Sequence, residues 1–187
     1  MIIGITGSIG SGKTIVAKLF GRRGFKVIDA DKFYAGLYKK NKAMRKSIKI
    51  EFGTISRKKI KKIAFSNPNK LLKLNRITHP IILNEIKKSI NQIKKENRNA
   101  KIIIDAPLLL ESEAKSLVGK IIVVKCNEAA QLRRVLKKKK YSAREIKNIL
   151  KSQMPLKEKL KYADFVVGNS GSLAETKKQV NEIIDKL

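Results

Sequence analysis

One cysteine, Cys126, and one histidine, His79, are all that the 187 residues hold of two side chains that commonly bind transition metals. A lone cysteine permits no intrachain disulfide and no cysteine metal cage, and a lone histidine removes most zinc sites and every histidine pair. Acidic residues are scarce: 15 Asp and Glu face 44 Lys and Arg, a formal charge of +29 that points toward an anionic partner. The excess is mostly lysine, spread through runs such as "KKNKAMRK" and "RKKIKK", whereas arginine is the better residue for bidentate phosphate or base recognition. Aromatics make up only 5% of the chain, too few for the stacking platforms of single-strand binders. General surface enrichment therefore explains the charge, and a specific nucleic-acid partner is not expected. No apolar run reaches the length of a membrane span, and the first motif begins almost at the N-terminus, leaving no room for a signal peptide. A cytoplasmic location and no membrane partner are the expectation. Linkers rich in Pro, Gly and Ser are missing, as are internal repeats, so one domain with appendages is expected.

Short apolar runs alternate with stretches of helical period. Residues 1–6, 26–29, 101–106, 120–126 and 164–169 read as strands, the later ones rich in Ile and Val without alternation. Continuous β-branched runs suit parallel strands covered on both faces, and helices between them predict an α/β doubly wound sheet of five parallel strands. Residues 12–23 read as the first helix, with Ile15, Val16, Leu19 and Phe20 on its inner face. Two inter-strand segments exceed a minimal crossover. Residues 32–99 predict several basic helices inserted over one end of the sheet. Residues 128–163 read as helix, turn and helix, with a break near Tyr141 and Ser142 capping the second helix through Glu145 at the capping-box spacing, and residues 133–162 of this segment are the expected lid. The core is then residues 1–31, 100–132 and 163–187.

Gly7 to Thr14, "GSIGSGKT", fits G-x-x-x-x-G-K-[ST] between a predicted strand and a predicted helix, the context this phosphate-binding motif requires. Gly7, Gly10 and Gly12 free the backbone to aim N–H groups at a phosphate, with Ser11 between them, and the helix N-terminus adds its own donors up to Ile15. Lys13 can reach the β- and γ-phosphates, and the Thr14 hydroxyl can ligate Mg2+. "VIDAD" places Asp29 and Asp31 at a strand end, where ligands of open α/β sheets collect. For Asp31 two readings stand: a carboxylate that orients or deprotonates an attacking hydroxyl, and a cap on the next helix. Asp105, ending "KIIID", can hold magnesium through water, or cap. Glu111 reads as the start of a helix. Arg133, Arg134 and Lys138 lie on a basic helix that can close over a triphosphate. Cys126 reads as a small core residue.

Taken together, "GITGSIGSGKT", "VIDAD", "THP" at Thr78 to Pro80, "APLLLE" at Ala106 to Glu111, Gln153, "AD" at Ala163 and Asp164, and "NSG" at Asn169 to Gly171 resemble the dephospho-CoA kinase family. The resemblance covers most of the chain. It implies a P-loop NTPase fold, ATP and Mg2+, and transfer of the γ-phosphate to the ribose 3′-hydroxyl of dephospho-CoA. It also implies Asp31 as the activating group, residues 32–99 as the acceptor-binding region with His79 on that side, and Arg134 with its neighbours as the lid. Ser8, Leu110 and Lys138 stand where the family usually has Gly, Phe and Arg. Ala35 stands where an Arg is common, which leaves Lys39, Lys40 or Arg57 to supply that charge. The remaining readings are another small-molecule kinase of this architecture, or a nucleic-acid-binding protein that keeps the loop for regulation.

Overall fold

A computed structural model describes residues 1–137 and 142–187. Five parallel strands form one sheet: β1 (Ile2–Thr6), β2 (Lys26–Asp29), β3 (Ile102–Asp105), β4 (Lys120–Lys125) and β5 (Phe165–Gly168), in the order β2-β3-β1-β4-β5. β2 matches its predicted range, and the other four lie within theirs, shorter by one residue at one or both ends. Because all are parallel, their C-terminal ends meet at one edge of the sheet, with Asp29 directly opposite Asp105.

The Ile and Val runs are explained by burial on both faces. Ile3, Ile5, Ile103, Ile122 and Val124 face α1 (Lys13–Arg22) and α9 (Leu173–Asp185), where they meet Val16, Phe20, Val180 and Ile183. Ile102 and Ile104, on the alternate positions, pack with Ile28, Ile86, Ile90 and Leu109 on the other face. Ile5, Phe20 and Ile103 are fully buried, and side chains at that depth contribute about 2–5 kcal/mol each relative to alanine.

The long insertion resolves into α2 (Ala30–Lys40), α3 (Lys42–Phe52), α4 (Arg57–Ser66) and α5 (Pro68–Glu96). It has an apolar cluster of its own in Tyr38, Met44, Ile48, Phe52, Ile60 and Ala64. Asn67 caps α5 ahead of Pro68, a residue suited to the first helical turn. α5 continues through Pro80, where one backbone donor is lost, while the Thr78 hydroxyl donates to the Leu74 carbonyl at 2.9 Å. Its first half joins the insertion cluster through Leu71, Leu74 and Ile77, and its second joins the sheet through Ile86 and Ile90. His79 and Pro80 fall at the junction.

Beyond β4 come α6 (Glu128–Lys137), α7 (Ala143–Ser152) and α8 (Leu156–Leu160), one helix more than the sequence predicts. The Ser142–Glu145 capping box forms as expected, with both reciprocal hydrogen bonds. The predicted break at Tyr141, like Lys138, lies outside the described residues. α7 rests against α4, and the Glu145 carboxylate there lies within the field of Lys61 and Lys62. Among the described residues no helix is long and apolar enough to cross a membrane.

Candidate active site

β1 runs straight into the glycine-rich turn, and α1 leaves it at Lys13. Gly12 occupies the N-cap position with φ +89°, a left-handed conformation that disfavours other residues, and a Cβ there would collide with Asn169 Nδ2. Gly10 (φ +80°) lies under α6: a Cβ would come within 2.6 Å of Val135 and 2.9 Å of the Gln131 carbonyl. No side chain caps α1, whereas α7 and α9 are both closed by capping boxes. Among the described residues the amides of Gly10, Gly12, Lys13 and Thr14 have no acceptor. Unfilled donors at a helix start, reinforced by the positive end of its dipole, form an anion site.

The loop carbonyls, by contrast, are held from behind. Gln131 Nε2 donates to Ile9 O at 2.6 Å, the Cys126 thiol to Gly10 O at 3.8 Å, and Asn169 Nδ2 and Arg134 Nη1 to Ser11 O at 2.8 and 3.4 Å. Asn169 is itself oriented by the Thr176 hydroxyl at 3.0 Å. The Ile9 amide is taken by Gln153 Oε1 at 3.0 Å. Tying the carbonyls outward keeps the free amides turned toward the cradle. Ile15, counted with the cradle in the sequence, donates its amide to Gly12 O and exposes its side chain. Cys126 sits just beyond β4, half-buried against the loop, and is thus not the core residue the sequence suggested.

The two aspartates of "VIDAD" separate cleanly. Asp29 is the N-cap of α2 and accepts the Lys32 amide at 3.0 Å. Asp31, exposed in the first turn, makes no hydrogen bond or ion pair among the described residues. The cap reading therefore belongs to Asp29. Asp105 is 3% exposed, and burial pushes its carboxyl above the ordinary aspartate range. Lys13 and the nearby Thr14 hydroxyl pull it back, and Asp29 and Asp31 push it up again. Its Oδ1 has no hydrogen-bond partner among the described residues. A cleft of about 380 Å³ is lined by Thr14, Asp105, Asp29, Lys32 and Phe33.

Glu111 starts no helix: it lies in a turn before the 3₁₀ segment Glu113–Leu117 and pairs with Lys159 of α8, Nζ to Oε1 at 2.9 Å. This partnership went unseen in the sequence, because Lys159 stands in "LKEKLK" among lysines that face solvent. His79 is half-buried on α5, where burial lowers its pKa and the Glu111 charge raises it. Arg57, exposed at the start of α4, stacks over Tyr34 and Tyr38 with its guanidinium carbon 5.5 and 5.6 Å from the ring centroids.

A strand, an unfilled amide cradle with its lysine, and at the same edge the free carboxylate of Asp31 and the buried one of Asp105 define a P-loop phosphotransferase that uses a nucleoside triphosphate. The family model described as Dephospho-CoA kinase matches residues 1–175. A protein of that name from Carboxydothermus hydrogenoformans is 40% identical over 193 residues, covering 99% of this chain and 93% of its own. Among solved structures, TT1252 from Thermus thermophilus superposes with a TM-score of 0.81 at 27% identity, covering 100% of this chain and 97% of that one. The dephospho-CoA kinase from Campylobacter jejuni superposes with a TM-score of 0.68 at 30% identity over 99% and 96% of the two chains. The chain belongs to the dephospho-CoA kinase family. It is an ATP-dependent kinase that phosphorylates the ribose 3′-hydroxyl of dephospho-CoA, giving coenzyme A and ADP.

Proposed function

We propose that Asp31 accepts the proton of the ribose 3′-hydroxyl while Lys13 and the amides of the Gly7–Thr14 loop hold the transferring phosphoryl group. The division of labour in "VIDAD" carries this reading: Asp29 is used up as a cap, and Asp31 is left unpaired at the strand edge that holds Asp105. The hydroxyl oxygen forms its bond to the γ-phosphorus as the bond to the ADP oxygen breaks, and the proton passes to Asp31. Charge that develops on the transferred group is met by Lys13 and the free amides without reorganisation.

Thr14 and Asp105 fit magnesium. They offer hard oxygen donors, one of them a buried carboxylate oxygen with no other partner among the described residues. Magnesium keeps most of its waters and needs few protein ligands, in keeping with the absence of any larger acidic or histidine cluster among the described residues. When bound, the ion offsets the negative charge of the triphosphate.

Arg57 is assigned to an anionic group of dephospho-CoA, in the role that Ala35 leaves open. Tyr34 and Tyr38 follow Asp31 by three and seven positions, so the guanidinium they carry is held on the Asp31 face of α2. Replacement by alanine (R57A) is expected to raise KM for dephospho-CoA about tenfold, the value of one well-placed charge–charge contact, with KM for ATP unchanged. Equal KM values for wild type and variant would withdraw the assignment. His79 is assigned to the same acceptor side, and α6 and α7 to the lid. Arg134, now on Ser11 O, would move onto the triphosphate; Lys138, assigned to the same lid from the sequence, lies outside the described residues.

The function is tested by offering dephospho-CoA, adenosine, AMP, shikimate and no acceptor in a coupled assay with ATP and magnesium. Turnover confined to dephospho-CoA is expected. Turnover with another acceptor alone would overturn it.

A further inference from the structure

Lys159 is 0% exposed, an extreme position for an ammonium group. Its Nζ donates to Glu111 Oε1 and Oε2 at 2.9 and 3.1 Å, to the Pro107 carbonyl at 2.9 Å and to the Thr6 hydroxyl at 3.4 Å. Thr6 ends β1 and precedes the phosphate loop, and Pro107 and Glu111 lie on the exit turn of β3, just beyond Asp105. Glu111 Oε1 also accepts the Met154 amide at 2.8 Å, and the neighbouring Gln153 holds the Ile9 amide of the loop. One ammonium thus gathers the strand feeding the loop, the turn after Asp105 and the segment joining α7 to α8. Lys159 also feels the charge of Lys13, and His79 feels that of Glu111.

A buried ion pair is a poor device for stability, since well-packed apolar residues often do as well or better. What such a pair adds is fixed direction. We propose that Lys159 and Glu111 form a positioning unit for phosphoryl transfer, locking the β3 exit and the base of the lid onto the strand that presents the phosphate loop. They touch no substrate and act through the placement of Asp105, Ile9 and Lys13.

The test compares K159M, K159R and the apolar double variant K159M/E111L with the wild-type enzyme, measuring kcat, both KM values and thermal unfolding. Wild-type turnover of dephospho-CoA is the control, so failure of the activity itself and failure of this inference are told apart. K159M leaves the half-buried Glu111 carboxylate without its cation, and a lower Tm is expected. The double variant is expected to regain most of that Tm while kcat stays at least about tenfold below wild type, with KM for dephospho-CoA within about threefold. K159R, which keeps the charge but must fit a larger, planar guanidinium where Lys159 is fully buried, is expected to fall between K159M and wild type in kcat. A folded double variant with wild-type kcat would show the pair to be structural only. Should the double variant fail to fold, E111Q decides: reduced kcat at preserved Tm supports the proposal, and unchanged kcat overturns it.

Discussion

Replacing Lys13 by alanine is expected to lower kcat about a thousandfold, a loss of about 4 kcal/mol in transition-state stabilisation. Lys13 opens α1 directly behind Gly12 and makes no hydrogen bond or ion pair among the described residues, so its ammonium is free to meet a phosphate. Its field already extends over the cleft: it partly offsets the burial that raises the pKa of Asp105, and it adds to the burial that lowers that of Lys159. The loss should fall on kcat more than on KM for ATP, because the amides of Gly10, Gly12 and Thr14 still bind the ground-state triphosphate. Fold stability should change by no more than about 0.5 kcal/mol, as no packing or ion pair is removed. Steady-state kinetics beside a thermal melt separate these effects. A kcat within tenfold of wild type would remove the loop from the transfer step.

Asp31→Asn is expected to cost about a hundredfold to ten-thousandfold in kcat, the range for removing a positioned base, with KM for ATP little altered. Asparagine keeps the size of the side chain and loses the proton acceptor. A pure capping role would predict almost no change, since asparagine caps as well as aspartate. Asp29→Asn is the matched control: the amide oxygen introduced there would keep the bond from the Lys32 amide, and kcat is expected within about threefold of wild type. Collapse of ATP binding in the Asp31 variant would instead place that carboxylate on the metal or in the structure.

Much of this arrangement is legible along the chain because it is local. A cradle built from eight consecutive residues needs only its own glycines, one lysine and one hydroxyl. Strands declare themselves by unbroken Ile and Val, and Ser142 with Glu145 announces a helix start three residues long in its logic. Whether Asp31 of "VIDAD" is a cap stays open along the chain, because the answer depends on where the next helix starts. Only the observed start of α2 at Ala30 assigns Asp29 to the backbone.

The sequence by itself determined the phosphate loop, the parallel α/β sheet and the resemblance that names the acceptor, since each rests on residue types at short, fixed spacings. Tertiary structure alone decided that Lys159 is buried among exposed lysines, that it joins Glu111 across 48 positions, and that Arg57 lies on Tyr34 and Tyr38. It alone also decided that Asn169 supports a loop 158 residues away. Local sequence carries backbone preference and periodicity. Partners this far apart are chosen by the strand order β2-β3-β1-β4-β5, which brings distant turns to one edge and excludes water from the charges that meet there.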